Sequence, residues 1–203
     1  ALMSAAEKGH TEIVQELVRA GAALDLQDKV GWSALMSAAW NGRAEIVQEL
    51  VRAGAALDLQ DKSQFTALMW AAGRGDPEVV RELVRAGAQL DLKDTYHRTA
   101  LMLAASRGYT EIVQELVRAG AAHDLKDTYQ RTALILAANR GYTEVVRELV
   151  RVGAAFDMSN PITIGDAFIQ AVEQDDCNLV RHLEKLFTRP ATSRMKHLDR
   201  HTL

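Results

Sequence analysis

The sequence predicts an all-α protein, a solenoid of stacked helix–turn–helix units that together form one elongated domain. The first indication is a fixed period of 33 residues, in which Ala-Leu-Met or Ala-Leu-Ile opens a unit near residues 1, 34, 67, 100 and 133. A period of about 20 to 50 residues is typical of stacked repeats. The second indication is that each unit holds two helical stretches too short to bury their apolar sides alone, so neighbouring units must share one core.

The first helix of a unit is predicted by the residues that begin and end it. In the second unit, Ser33 can accept hydrogen bonds from the free N–H groups at the start of a helix over residues 34–41. Gly42 can adopt the left-handed backbone conformation that ends a helix. The small side chains of Ala38 and Ala39 allow the first helices of neighbouring units to pack closely.

The second helix of this unit is predicted over residues 44–52 by the spacing of its apolar side chains. The apolar stripe of this helix consists of Ile46, Val47, Leu50 and Val51. Gly54 ends the helix, and residues 57–61 continue in an extended conformation into a turn. An aspartate recurs in each of these turns, where it can hydrogen-bond to its own turn. These aspartates are Asp28, Asp61, Asp94 and Asp127.

A unit with Thr-x-Leu, Ala-Ala, Gly, Glu-Ile-Val, Leu-Val and Gly-Ala in this order resembles the ankyrin repeat. The resemblance runs from Ala1 to about Phe187 and implies an ankyrin-repeat solenoid with projecting, β-hairpin-like turns between units. The usual Thr-Pro-Leu-His opening is replaced by Thr-Ala-Leu-Met at Thr66 and Thr99, and by Thr-Ala-Leu-Ile at Thr132. Because proline and histidine would tie down the turn, we expect the fold to be kept with less rigid turns.

The two ends of the chain differ from the regular units. Residues 166–187 are predicted to form a divergent sixth unit that caps the solenoid, so the repeat domain would cover residues 1–187. Residues 188–203, with four Arg or Lys and one Asp, are predicted to be a basic tail without a core. Because the chain begins inside a unit, without the turn that precedes each later one, we expect it to be a fragment.

The composition is that of an ordinary protein without disulfides. The net charge is -3 and 48% of the residues are hydrophobic. A single cysteine excludes a disulfide framework and an all-cysteine metal site. No apolar run has the length of a membrane span, and no signal-peptide pattern precedes the first unit. We therefore expect an intracellular, cytoplasmic protein that does not insert into a membrane and is a monomer.

Differences between the copies indicate which positions are free to serve a partner. Residues 12–29 and 45–62 are identical, whereas the turn and one face of the first helix vary. By the resemblance, these positions line the concave groove through which ankyrin proteins bind partners. All three tryptophans and one phenylalanine occur at variable positions of the second and third units, and exposed aromatic side chains are common binding anchors. They are Trp32, Trp40, Phe65 and Trp70.

The positions of these aromatic residues allow different expectations for each. Trp32 and Phe65 occupy a turn position that is filled by arginine in later units, so we expect both to be exposed. Trp40, which is matched by glycine, serine and asparagine elsewhere, is also expected at the surface. For Trp70, which other units replace by Ser or Leu, core packing and exposure are both open.

Arginines repeat at two further variable positions, next to tyrosines in the turns. The first-helix position holds Arg74, Arg107 and Arg140, and the turns hold Tyr96 with Arg98 and Tyr129 with Arg131. Units stack roughly 10 Å apart, and an extended peptide advances about 3.3 Å per residue, so an acidic or phosphorylated side chain at every third position could follow this ladder. The alternative is that each arginine pairs with a turn aspartate, Asp94 or Asp127, and binds nothing.

Other apparent motifs do not indicate chemistry. The Arg-Gly-Asp sequence at residues 74–76 contains a helix-ending glycine and is attributed to chance. Cys177 has no histidine in a repeated pattern beside it, and the spacing of His197 and His201 lies in the predicted tail, which makes it weak evidence for a metal. Since no nucleophile–base pair, paired carboxylates or ligand cluster stands out, we expect no enzymatic activity, no cofactor, no metal and no small-molecule substrate.

Three functional hypotheses follow, and the first is favoured. The chain is an intracellular protein-interaction module that captures a partner segment in its concave face. Alternatively, it is the substrate-recruiting part of a larger enzyme or adaptor, such as a kinase or a ubiquitin-ligase component, which complete flanking sequence would reveal. Nucleic-acid binding is weaker, because the repeat domain is net negative. The near-identical copies are also found in designed binders, whereas the irregular last unit and tail are more typical of a natural protein.

Overall fold

A computed structural model describes residues 1–154, which contain ten α-helices in five pairs. The first helices of the pairs are α1 (Leu2–Lys8), α3 (Ala34–Trp40), α5 (Ala67–Arg74), α7 (Ala100–Ala105) and α9 (Ala133–Ala138). The second helices are α2 (Thr11–Arg19), α4 (Ala44–Arg52), α6 (Pro77–Arg85), α8 (Thr110–Arg118) and α10 (Thr143–Arg151). The predicted capping unit, the predicted tail, Cys177, His197 and His201 lie outside the described residues.

The helices are arranged in two rows, one of first helices and one of second helices. Each first helix packs against the first helix of the next unit, from α1 through to α9, and the second helices pack in the same way from α2 to α10. Every helix also contacts the other helix of its own unit. Within residues 1–154 there is no β-strand, so the predicted all-α stack is confirmed.

The first helices begin at a capped residue and form the buried row. Ser33 Oγ accepts a hydrogen bond from the backbone N–H of Met36 at 3.2 Å, as its position predicts. Threonine does the same at the starts of α5, α7 and α9, with distances of 3.2 to 3.4 Å. The residues from Ala34 to Ala39 are all buried, because small alanines alternate with Leu and Met between the neighbouring helices. Helix α3 ends at Trp40, one residue before the predicted end.

The second helices bury one stripe and leave the opposite side in solvent. Helix α4 has the predicted bounds, Ala44–Arg52. Ile46, Val47 and Leu50 are buried, whereas Val51, the fourth member of the predicted stripe, is half-buried. The apolar stripe thus faces the first helices and the neighbouring units, and the charged side chains lie outside.

The turns between units are fixed by aspartate rather than by proline and histidine. Oδ1 of each recurring aspartate accepts the backbone N–H groups two and four residues further on, at 2.8 to 2.9 Å. Adjacent turns are joined by backbone hydrogen bonds, such as the 3.1 Å bond from Lys62 N–H to Val30 O and the 3.2 Å bond from Thr95 N–H to Ser63 O. The turns therefore form a continuous row beside the first helices, which positions their side chains in register from unit to unit.

Candidate functional site

Four aromatic side chains from the second and third units pack into one group, the aromatic cluster. Its members are Trp32, Trp40, Phe65 and Trp70. Trp70, on α5, is central: its ring centroid lies 5.1 Å from that of Trp32 and 4.8 Å from that of Trp40. The centroid of Phe65 is 4.5 Å from that of Trp70. Trp32 also contacts Trp40 edge-on at 6.2 Å. The aromatic residues selected from the sequence thus meet in a single place.

A hydrogen bond ties the centre of this cluster to the turn before α5. Nε1 of Trp70 donates to Oδ2 of Asp61 at 3.2 Å, and Asp61 is buried. Oδ1 of the same carboxylate holds the turn. Sequence reasoning missed Asp61 as a support of the site. The signal was present, because Phe65 takes the turn position that holds arginine in later units and leaves Asp61 without a guanidinium partner.

The burial of the cluster differs from what the sequence predicted. Trp32, Phe65 and Trp40 were expected to be exposed, but each is half-buried. Trp70, for which both outcomes were open, is half-buried as well. The physical reason is that the rings cover one another across the boundary between two units, which a comparison of equivalent positions cannot show. Part of each residue still remains accessible to solvent.

In the later units the same turn position is occupied by arginines that pair with the turn aspartates. Arg98 donates from Nε and Nη2 to Oδ2 of Asp94 at 2.8 and 2.7 Å, and Asp94 is fully buried. Arg131 and Asp127 repeat this geometry at 2.9 and 2.7 Å. For these two arginines, the pairing proposed as the alternative to ligand binding is therefore present. A buried carboxylate needs such a partner, because an unpaired buried charge is strongly unfavourable.

The turn tyrosines lie beneath these guanidinium groups and are exposed. The Cζ atom of Arg98 is 5.1 Å from the ring centroid of Tyr96, and that of Arg131 is 4.8 Å from the ring centroid of Tyr129. Arg98 also lies 5.8 Å from the ring centroid of Phe65, which connects this column of side chains to the aromatic cluster. Cation–π contacts add a modest attraction to the hydrogen bonds that already hold these two guanidinium groups. The aromatic cluster and the turn arginines therefore form one continuous surface.

The first-helix arginines do not all behave alike. Nη1 of Arg107 donates to the backbone oxygen of Gly73 at 2.6 Å, and Nη1 of Arg140 makes the equivalent bond to the preceding unit at 2.8 Å. The guanidinium of Arg74 lies over the ring of Trp40, with its Cζ atom 4.6 Å from the centroid. The three first-helix arginines of the predicted ladder, which share one position in the repeat, therefore have two different environments. Arg107 and Arg140 bind a backbone oxygen, and Arg74 lies over an indole ring.

The opposite side of the stack, formed by the second helices, carries several ion pairs within the row. Arg52 pairs with Glu49, and Arg85 with Glu82, at 3.1 and 3.4 Å along the same helix. At α10, a hydrogen bond from Arg151 lowers the pKa of Glu148 below its ordinary value. Exposed pairs of this kind add little stability and are typical of a solvated surface. The turns and first helices are therefore the side on which the unusual side chains are concentrated.

Metal sites and membrane spans were also sought among residues 1–154. In the part of the chain that the structure describes, no group of three or more His, Cys, Asp or Glu residues is placed to hold a metal ion. Among the helices of residues 1–154, none is both long enough and apolar enough to cross a membrane.

The two rows of helices and the joined turns define a solenoid protein of stacked helix–turn–helix repeats. A family model of three ankyrin repeats matches the chain in four overlapping stretches, residues 2–94, 36–127, 68–160 and 101–187. The chain belongs to the ankyrin repeat family. Ankyrin repeats are in general protein–protein interaction modules, and their fold is a non-enzymatic one. A comparison with curated proteins gave no match.

Proposed function

We propose that this chain captures a segment of a partner protein on the side formed by its turns and first helices, the concave side of an ankyrin solenoid. The observation that carries the proposal is the aromatic cluster. Its four members occur in two adjacent units only, at positions where the other units hold smaller or charged residues. The stack does not require aromatic side chains there, since the later units pack without them.

The cluster has the physical properties of a binding anchor. Its rings are held by mutual contacts and by the bond from Trp70 to Asp61, so little side-chain freedom remains to be lost when a partner binds. Each of the four residues keeps part of its surface accessible, and aromatic residues are enriched among those that dominate the energies of protein interfaces. An apolar side chain of the partner that covers these rings would gain both area and favourable ring contacts.

The arginines extend the site along the solenoid and favour a partner segment with acidic or phosphorylated residues. The side chains of Arg98 and Arg131 are 32% and 34% exposed although both are paired with buried aspartates. They are therefore held in place and still reach solvent. With Tyr96 and Tyr129 beneath them, they present a rigid, polar surface beside the cluster. Arg107 and Arg140 lie on the same side of the stack. Nη1 of each donates to a backbone oxygen of the preceding unit, and the other N–H groups of these guanidiniums are proposed to contact the partner.

We infer in addition that the protein acts inside the cell as a monomer. Its single cysteine is consistent with a reducing compartment, in which structural disulfides are rare. Sedimentation of the full chain at several concentrations tests the monomer, and a mass that rises with concentration would contradict it.

The proposed binding site is tested by selecting peptides from a random library of about 12 residues on the full chain and measuring their Kd by calorimetry. The double variant W40S/W70L carries the residues of the fourth unit, Ser106 and Leu103, at these positions. Because W70L also removes the hydrogen-bond donor to buried Asp61, circular dichroism is used to verify that the variant keeps the helix content of the parent. We expect at least about a tenfold loss of affinity, since central aromatic residues commonly contribute more than about 1–2 kcal/mol to binding.

The matched control changes the opposite side of the stack. In the double variant R52A/R85A, two exposed arginines of α4 and α6 are removed and the turns are untouched. We expect the selected peptides to bind this variant within about twofold of the parent, because exposed ion pairs contribute little. Peptides that bind W40S/W70L as tightly as the parent would show that the cluster is not the binding site.

A further inference from the structure

We infer that Arg74 is the receptor for one oxyanion of the partner, a carboxylate or a phosphate group, held directly beside the aromatic cluster. The inference rests on the proposed function, because it specifies the polar half of the same binding site. The sequence predicted that the arginines of the ladder are equivalent, whereas the inference assigns anion binding beside the cluster to Arg74. Three arginines share this position in the repeat, and the structure separates them by what their donors contact.

Arg107 and Arg140 use a donor to join neighbouring units. Each donates from Nη1 to a backbone oxygen 34 residues earlier in the chain, at 2.6 and 2.8 Å. The corresponding oxygen for Arg74 belongs to Trp40. There, the guanidinium lies over the indole ring instead. The difference follows from the preceding unit, which presents glycine or serine to the later arginines and a large indole to Arg74.

The result is an exposed guanidinium whose donors are unused. Arg74 forms no hydrogen bond and no ion pair with any other residue of the range 1–154, and it is exposed. A guanidinium has five N–H donors in a planar fork that matches the oxygens of a carboxylate or a phosphate group. The cation–π contact with Trp40, at 4.6 Å from Cζ to the ring centroid, favours this position of the guanidinium without consuming a donor. Part of the conformational freedom that anion binding would remove is therefore already reduced.

The distances define the spacing of the groups that the partner must present. The guanidinium of Arg74 lies 4.6 Å from the ring centroid of Trp40, which lies 4.8 Å from that of Trp70. The anion site and the centre of the cluster are thus less than about 10 Å apart, a distance that two or three extended residues cover at about 3.3 Å each. Residues i and i+2 of an extended segment point to the same side. The expected partner carries an aromatic side chain and an acidic side chain separated by one residue.

The test uses the full chain and blocked pentapeptides of sequence Gly-Phe-Ser-Glu-Gly, with glutamine or phosphoserine replacing glutamate in two companions. All three tryptophans of the chain belong to the cluster, so the intrinsic fluorescence reports occupation of this site. We expect the glutamate and phosphoserine peptides to bind about tenfold more tightly than the glutamine peptide, as a charge-assisted bidentate hydrogen bond implies. The ratio of the Kd values of the glutamate and phosphoserine peptides shows whether a carboxylate or a phosphate group binds more tightly.

The substitution R74N introduces the residue that the second unit has here, Asn41, and leaves every tryptophan in place. We expect it to abolish the preference for the charged peptides, whereas R52N, on the opposite side of the stack, keeps that preference. If R74N retains the preference, or if R52N removes it equally, the inference about Arg74 is wrong. A fourth peptide with alanine in place of phenylalanine tests the proposed function separately. Binding that depends on the phenylalanine, but not on Arg74, would support the aromatic cluster as the binding site and contradict only the anion site at Arg74.

Discussion

In the chain of residues 1–203, replacing Ile46 by alanine is expected to destabilise the fold far more than replacing Ile13, although the two isoleucines lie in identical stretches of sequence. Residues 12–29 and 45–62 are the same at every position, so the two helices match in sequence except at the first residue, Thr11 or Ala44. The structure gives the two side chains different surroundings: Ile46 is 1% exposed, between the first and third units, whereas Ile13 is 50% exposed. The pair therefore isolates the contribution of a neighbouring unit.

The expected magnitudes follow from this burial. The substitution removes three carbons, a methyl and an ethyl group on Cβ, and each buried methylene contributes about 0.8 kcal/mol. At Ile46 the loss of transfer free energy is joined by the cost of a cavity, which gives a total of about 3–4 kcal/mol. At Ile13, where half the surface is already in water and solvent can occupy the space, we expect about 1 kcal/mol. The difference between the variants is thus about 2–3 kcal/mol.

Urea denaturation of the parent chain and both variants measures this difference. Circular dichroism follows the helices of the whole chain, and tryptophan fluorescence follows the second and third units, which hold all three tryptophans. Coincident transitions by the two probes justify a single free energy of unfolding, a necessary check because repeat arrays can unfold in parts. Equal losses in the two variants, within about 0.5 kcal/mol, would refute the reasoning, since stability would then depend on properties that the identical segments share and not on stacking.

Two further sets of variants test an ion pair in a turn and a contact between neighbouring units. R98Q leaves the buried carboxylate of Asp94 without its guanidinium, and we expect a loss of about 2–3 kcal/mol in urea denaturation. The double variant R98Q/D94N should recover part of that loss, and strictly additive losses would contradict the pairing. Gly108 and Gly120 lie at either end of α8 with positive φ of 76° and 94°. G120A should cost about 1–2 kcal/mol from backbone strain alone. G108A should cost at least about 1 kcal/mol more, because a Cβ there would lie 2.7 Å from the ring of Tyr142, and equal melting temperatures would exclude that contact.

Much of the fold could be predicted from the sequence because its determinants are local and repeated. The cap at Ser33, the bounds of α4 and the turn-holding role of Asp61 all depend on residues within a few positions of each other. The period then adds the stacking, since a unit of this length cannot bury its apolar stripe alone. The missing proline and histidine did not leave the turns without support, because aspartate supplies the hydrogen bonds.

The sequence was sufficient to select the residues of the candidate site, but not to predict the contacts between them. Comparing the copies selected Trp40, Trp70 and Arg74 as positions without a repeated structural duty. It could not show that the indoles bury one another, or that Arg98 holds a buried aspartate while Arg74 holds none. These are contacts between units, and they depend on which side chain the neighbouring copy presents.

The sequence by itself determined the family, the helices and the turns, since each of these follows from the order of residues within one unit and its repetition. The tertiary structure alone decided how identical or equivalent residues differ. Ile13 and Ile46 have the same neighbours in sequence and different neighbours in space. Likewise, Arg74 and Arg107 share one position in the repeat, but the first meets an indole ring and the second a backbone oxygen. The physical reason is that burial and hydrogen bonding are set by the adjoining unit, which a single copy of the repeat does not contain.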